Sequence, residues 1–165
     1  MSVIEMLHSL IFSYGLVGLF FGSLLANASL FLLIPIDLVI IYIGSLNLFH
    51  PVLVGLVAGA GAAIGESVGY AVGFGGRHAI EKKFSKDLRR IDEIKMKFHN
   101  WGILVIFFGS IIPFAFDFIA IVAGIIEYNF KKFLLAVFAG RFLRYSILAF
   151  AASIGAKYIY GLFLA

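Results

Sequence analysis

The chain of 165 residues is 62% hydrophobic and 13% charged, whereas soluble domains are typically about half apolar and about a quarter charged. So little polar surface excludes a soluble globular domain, and it predicts a multi-pass protein of the cell membrane. The chain contains no cysteine, which excludes disulfides and thiolate metal sites.

Apolar runs predict an all-α integral membrane protein, with residues 1–165 forming a single membrane domain. About 20 apolar residues in a helix are enough to cross ~30 Å of hydrocarbon. In chain order, the predicted segments are a transmembrane helix at 9–26, a re-entrant hairpin at 27–48, a transmembrane helix at 52–75, a cytoplasmic amphipathic basic linker at 76–100, a second re-entrant hairpin at 102–126, and a transmembrane helix at 133–150 with a continuation to 164 left open. The first run lacks a basic start and carries Glu5, so we expect an anchor and not a cleavable signal.

The positions of the basic residues predict the orientation in the membrane. Residues 76–100 contain eight of the thirteen Lys and Arg residues, and cytoplasmic loops carry an excess of these residues, so this linker and the N-terminus are expected in the cytoplasm. Lys131 and Lys132 fall on the same side only if both hairpins leave the membrane on the side from which they entered. The linker mixes acids with bases beside long apolar runs, so we expect a helix at the membrane surface and no nucleic-acid partner.

Each predicted hairpin carries a proline followed closely by an acid. Pro35 precedes Asp37, and Pro113 precedes Asp117. An arm of about ten residues reaches ~15 Å as a helix, which is half of the bilayer. The prolines are therefore predicted to mark the hairpin tips near the midplane.

The two hairpins resemble copies of one another. Asp37 lies seven residues before Gly44, and Asp117 lies seven residues before Gly124. An odd number of crossings separates the copies, so the sequence predicts an inverted repeat of a re-entrant hairpin plus a transmembrane helix, with two hairpins facing each other near the midplane. Paired broken helices in such a repeat indicate a substrate site at the repeat interface. Chance similarity between two apolar runs is the alternative.

Two motifs carry a resemblance to a known family. GESVGYAVGFGGR at 65–77, followed by the basic linker, resembles the Gly-rich signature of the DedA proteins, also called the VTT or SNARE-associated Golgi protein family. PFAFDFIAIVAG at 113–124, followed by FLLAVFAGRFLRY at 133–145, is similar to that family's second hairpin and the arginine-bearing helix after it. The resemblance covers roughly residues 15–155 and indicates a short, minimal member. It implies two facing re-entrant hairpins and the movement of lipids or lipid-linked phosphates, including polyprenyl-phosphate recycling in bacteria and phospholipid scrambling in eukaryotes.

This chain departs from the family pattern at two positions. Asn27 stands where many members have a glutamate before the first hairpin tip, and Ser110 stands where many have an arginine before the second. Loss of an acid and of a base together is a compensated change. It also weakens the expectation of direct proton coupling through the first position.

Five charged residues in apolar segments are the candidate substrate and proton pathway. An ionised side chain in lipid is costly and serves no packing need, so we expect Glu66 to face a polar cavity or an arginine. Arg141 and Arg144 are three residues apart and project from one helical face. Guanidinium groups match phosphate oxygens, so these arginines are predicted to bind a phosphate together with the acids Asp37, Glu66 and Asp117. The alternative is that the arginines only neutralise those acids.

Small residues in the same segments are predicted to break the hairpins or to permit close helix packing. They are accompanied by Tyr70, which belongs to the family-like motif. The set comprises Pro35, Pro113, Gly44, Gly124, Gly65, Gly69, Tyr70 and Gly73. The four histidines show no metal-ligand spacing and no serine lies in a nucleophile motif, so we expect no metal, no cofactor and no enzymatic activity.

Three functions from different classes fit these residues. The first is a transporter or flippase for an anionic or phosphate-bearing membrane lipid, with the arginines reading the head group and the acids carrying protons. The second is an uncoupled phospholipid scramblase, and the third is a non-transporting assembly or scaffold protein. A homo-oligomer is compatible with all three.

Overall fold

The computed structural model describes residues 3–29, 36–83, 88–112 and 116–164, and Pro35 and Pro113 lie outside these ranges. The described residues form α-helices and no strand, which confirms the predicted all-α class. The helices are α1 (Val3–Ala28), α2 (Ile36–Ser45), α3 (Pro51–Lys83), α4 (Leu88–Ile111), α5 (Phe116–Ile125) and α6 (Phe130–Leu164).

Two helices are long and apolar enough to cross a membrane within the described ranges. They cover Pro51–Arg77 in α3 and Phe130–Tyr158 in α6, with mean hydropathies of 1.7 and 1.6. These stretches contain the predicted transmembrane segments 52–75 and 133–150. The other apolar helices are shorter, and they are Tyr14–Ala28, Ile36–Ser45 and Trp101–Ile111.

Helices α3 and α6 form a central antiparallel pair. Gly55 of α3 lies against Ser146 of α6, and Gly59 lies against Phe142, so the residue number falls along α6 as it rises along α3. A Cβ atom added at Gly59 would lie 2.9 Å from the backbone nitrogen of Phe142. The missing side chains therefore let the two backbones approach closely, as in other packed membrane helices.

Helix α1 is bent at Gly15, which has φ 57° and ψ −128°. Glycine adopts this backbone conformation without the steric cost that a Cβ would bring. After the bend, α1 runs alongside α3 in the same direction, because Gly61 lies against Phe20 and Gly65 lies against Leu24. The bend falls inside the predicted crossing segment 9–26, and it lies beside Phe49, just beyond the end of α2.

The later helices repeat this arrangement with α3 and α6 exchanged. Gly102 of α4 lies beside Tyr128, just beyond the end of α5, and Gly140 of α6 packs on Phe107 of α4. Helix α5 runs alongside α3, because Gly124 lies against Tyr70. Helix α2 correspondingly packs on α6, where Gly44 lies against Ala149.

The two short helices end in the same way. Asn47 after α2 and Glu127 after α5 both have φ 52°, a left-handed conformation typical of helix C-termini. The amide N–H of Asn47 donates to the Gly44 carbonyl at 3.1 Å, and that of Glu127 donates to the Gly124 carbonyl at 3.0 Å. Each chain reversal then leads directly into one of the two long helices.

Apolar side chains pack into two clusters, one on each side of the α3–α6 pair. The first joins α1, α2, α3 and α6 around the fully buried Tyr145. The second joins α3, α4, α5 and α6 around the fully buried Phe133. Three of the charged residues described next, Glu66, Arg141 and Arg144, lie on α3 and α6, the helices shared by both clusters.

Candidate functional site

One buried and one partly buried ion pair connect α6 to two other helices. Arg141 donates a hydrogen bond to Glu66 Oε1 of α3, and Arg144 donates one to Asp37 Oδ2 of α2. Glu66 is 1% exposed, Arg141 7% and Arg144 8%. Removing such charges from a polar solvent costs several kcal/mol per ion, and that cost is offset only while each charge has a well-placed partner.

Local helical geometry places these side chains. Arg141 and Arg144 are three residues apart in α6 and share one face. Asp37 lies in the first turn of α2, where the free N–H groups and the helix dipole favour a negative charge. Asp117 occupies the same position in the first turn of α5.

Asp117 differs from the other acids because no described residue forms an ion pair or a hydrogen bond with its side chain. Its carboxylate is half-buried and lies within electrostatic range of Arg141 and Glu66. Arg141 is also within electrostatic range of Asp37. The structure therefore brings the five predicted pathway residues to one region of the α3–α6 crossing.

Several buried polar atoms in this region have no hydrogen-bonding partner among the described residues. They are Asp37 Oδ1, Glu66 Oε2, Arg144 Nη1 and Ser146 Oγ. Buried polar groups are satisfied in the great majority of structures, so each such atom requires a specific explanation. An added oxygen-rich ligand has donors available at Arg144, while added protons have acceptors available at the two acids.

Tyr145 and Ser23 also belong to the site, although the sequence interpretation did not include them. The Tyr145 ring centroid lies 6.0 Å from the Arg141 guanidinium carbon. Asn27 Nδ2 donates to the Tyr145 hydroxyl at 3.4 Å and to the Ser23 carbonyl at 2.7 Å, and Ser23 Oγ donates to the Ala58 carbonyl at 2.7 Å. The available signal was the four-residue spacing between Arg141 and Tyr145, which places both on one helical face.

The residues predicted for close packing lie at helix contacts. Tyr70 donates its hydroxyl proton to the Tyr128 carbonyl at 2.6 Å and so connects α3 to the segment before α6. The glycine contacts are Gly44 with Ala149, Gly65 with Leu24, Gly73 with Ile121 and Gly124 with Tyr70, and Gly69 is buried. None of the described His, Asp and Glu residues form a group of three that could hold a metal ion.

Two apolar helices of membrane-spanning length, with ion pairs buried at their crossing, define an integral membrane protein of the all-α class. Residues 34–154 match the VTT domain, and the chain belongs to this family, as its motifs indicated. It is also 32% identical over 139 residues to an uncharacterized membrane protein of Synechocystis sp., a match that covers 80% of this chain. The matched region spans 63% of that relative's length. No solved structure matches the chain.

Proposed function

We propose that the protein moves an anionic lipid, either a phospholipid or a lipid-linked phosphate such as a polyprenyl phosphate, across the cell membrane without catalysing a reaction. The observation that carries the proposal is the buried Arg141–Arg144 face, on which each arginine already pairs with an acid from a different helix. A planar guanidinium binds phosphate oxygens in the same fork geometry as carboxylate oxygens. A phosphate group is therefore a direct competitor for both arginines.

In this proposal, two re-entrant hairpins form an inverted repeat. The second is α4 after Gly102 with α5, as predicted for 102–126, whereas the first extends the predicted hairpin 27–48 to include α1 after Gly15. The support is the exchange of packing partners: α1 and α5 lie on α3, whereas α4 and α2 lie on α6. Gly15 lies beside Phe49, and Gly102 lies beside Tyr128. These two contacts support the proposal that the start and the end of each hairpin lie next to each other. Non-helical backbone at depth is tolerated when protein buries it or a polar cavity adjoins it. The proposal is that Asp37 and Asp117, in the first turns of α2 and α5, would line such a cavity.

The proposed orientation has residues 76–100 in the cytoplasm. The prediction that the N-terminus lies there too does not fit this first hairpin, because Gly15 lies beside Phe49 at the opposite end of α3. The support from contacts is that Arg77 pairs with Glu127 at 3.5 Å and donates to the Ile125 carbonyl at 3.2 Å. This interaction places the basic end of α3 beside the segment that precedes Lys131 and Lys132. Both basic regions then lie on one side of the membrane, as the distribution of positive charge requires.

The proposed mechanism exchanges the acids for the lipid phosphate. Asp37 is the more accessible acid, because its side chain is 34% exposed whereas that of Glu66 is 1% exposed. An incoming phosphate would displace Asp37 from Arg144, and Asp37 would then take up a proton because a bare carboxylate is costly at depth. Asp117, which has no ion-pair partner among the described residues, is the second proton carrier. Ser110, the serine nearest the second hairpin tip, donates to the Phe107 carbonyl at 2.7 Å and is not placed as a nucleophile.

The test is lipid transfer in proteoliposomes, with and without a proton gradient. The probes are chain-labelled phosphatidylglycerol, phosphatidylcholine and a long-chain prenyl phosphate, and the readout is the rate at which each becomes accessible in the other leaflet. We expect the two anionic probes to move faster than phosphatidylcholine, and the gradient to change their rates. Equal and gradient-independent rates for all three probes would instead establish the uncoupled scramblase. That alternative is favoured by Asn27, an amide at the family's acidic position.

Conservative variants separate lipid recognition from folding. Arg144→Lys keeps a positive charge for Asp37 but loses the two-pronged donor geometry, and we expect transfer of anionic lipid to slow by about tenfold, the value of one charged hydrogen bond. Lys132→Arg is the matched control, because Lys132 is exposed on the same helix. A well-folded wild-type protein that moves none of the probes would show a scaffold and refute transport. A stable Arg144→Lys protein with the wild-type rate would leave the arginine with only a structural role.

A further inference from the structure

A second feature of the α3–α6 pair is an apolar groove of about 260 Å³. It is lined by Ala60, Ala63, Ile64, Leu134, Leu135 and Phe138. Ile64 is 48% exposed and Leu135 is 65% exposed, so the groove opens on the outer surface of the helix pair. This surface faces hydrocarbon in a membrane protein.

Along α6, the groove ends one helical turn before Arg141 of the buried ion pair. Phe138 lines the groove and lies three residues before Arg141, whereas Glu66 lies toward the other end of the groove because α3 and α6 run antiparallel. Three residues along a helix correspond to about 4.5 Å of rise. An apolar channel and a phosphate-binding face are therefore adjacent on the same two helices, in the order that an amphipathic molecule requires.

The sequence offers a reason for the space that forms the groove. Ala60 and Ala63 in α3 correspond in the proposed repeat to Arg141 and Arg144 in α6. Small side chains in one copy leave space between the helices, whereas the arginines fill the equivalent space in the other copy. The same residue differences thus produce both the charged face and the apolar groove.

We propose that this groove binds one hydrocarbon chain of the lipid whose phosphate engages Arg141 and Arg144. The inference rests on the proposed function and extends it, because it assigns a binding site to the apolar part of the substrate. Bulk membrane lipid would cover the groove without preference for a head group. A bound substrate chain requires the neighbouring positive face and so depends on the phosphate.

Photo-crosslinking of the full-length protein in vesicles tests this dependence. The probes are phosphatidic acid with a diazirine in one acyl chain and diacylglycerol with the same chains, and labelled residues are located by mass spectrometry. We expect phosphatidic acid to label residues 134–138 more than diacylglycerol does, by about tenfold, the effect of one charged hydrogen bond that only the phosphate can accept. The exposed residues Phe150 and Ile154 of α6 serve as the reference for bulk lipid, and both probes should label them equally.

Two variants change the groove in opposite ways. Ala60→Phe fills it, and Ala71→Phe is the matched control because Ala71 is exposed on α3 outside the groove. Leu135→Ala removes an exposed wall without adding bulk, so it remains informative if Ala60→Phe fails to fold. We expect both groove variants, and not the control, to lose the head-group-dependent labelling.

The outcomes distinguish this inference from the proposed function. If Arg144→Lys slows lipid transfer but phosphatidic acid labels residues 134–138 no more than Phe150 and Ile154, the groove proposal is refuted and the transport proposal stands. If phosphatidic acid and diacylglycerol label every position equally and transfer is absent, both are refuted. Protein-to-protein crosslinks at residues 134–138 in place of lipid adducts would assign the groove to a second copy of the chain and overturn the proposal.

Discussion

Replacing Arg141 with alanine is the most direct test of the buried ion pair. The change leaves Glu66, which is 1% exposed, as an uncompensated buried charge. Removing one partner of such a pair costs ~3–5 kcal/mol. At about 2–4 °C per kcal/mol for a chain of this size, we expect the midpoint of thermal unfolding in detergent to fall by about 6–20 °C.

The double variant Glu66→Gln with Arg141→Met separates the pair from the individual side chains. Buried ion pairs are often replaced by well-packed neutral groups at little cost, so we expect the double variant to recover most of the lost stability. Lys131→Ala is the control, because it removes an exposed charge from the same helix. If Arg141→Ala unfolds at the same temperature as Lys131→Ala, the pair contributes nothing to stability and the reasoning from burial is refuted.

Three further predictions concern packing and orientation. Gly124→Ala should lose ~1–3 kcal/mol of stability, because the added Cβ would lie 2.7 Å from the Phe74 backbone nitrogen. Gly76→Ala is the control and should not lose stability, because its added Cβ meets nothing within 4 Å. Equal unfolding temperatures for the Gly124→Ala and Gly76→Ala proteins would contradict the close packing at Gly124. Tyr70→Phe should lose ~1 kcal/mol by removing the hydrogen bond to Tyr128, while Tyr158→Phe at an exposed position should not. The single-cysteine variants Ser85→Cys and Asn129→Cys should react with a membrane-impermeant maleimide from one side of the membrane, and His50→Cys should react from the other side. If Ser85→Cys and Asn129→Cys react from opposite sides, re-entrant hairpins are excluded.

Composition and hydropathy were enough to predict the all-α class, and the resemblance of two motifs was enough to indicate the family, because both depend on local residue patterns. The stretches Pro51–Arg77 and Phe130–Tyr158 follow from long apolar runs in the sequence. The bend at Gly15 could not be predicted, because many glycines in the chain are helical and only the contact with Phe49 distinguishes this one. The local sequence pattern does not show at which glycine a helix will bend.

The pairing of acids with arginines was also beyond local pattern. The sequence indicated that Glu66 requires a polar partner, but Arg141 and Arg144 are both available on one face of α6. The choice depends on the register of α3 against α6, which the contacts of Gly55 and Gly59 fix. Tyr145 was missed for the same reason, since its place beside Arg141 and Asn27 arises from three helices meeting.

The arrangement of charges explains why acids are retained in short helices at depth. A fixed arginine that was always neutralised by one acid would have no capacity to bind a second anion. Here Asp37 is partly accessible and lies in the first turn of a short helix that begins at Ile36, so the Arg144 pair is the one that an anion can open at least cost. An anion that occupies Arg144 favours protonation of the displaced acid, and protonation of the acid favours the anion by the same free energy. In the proposed function, anionic lipid binding and proton uptake would therefore form one coupled equilibrium at the α2–α6 contact.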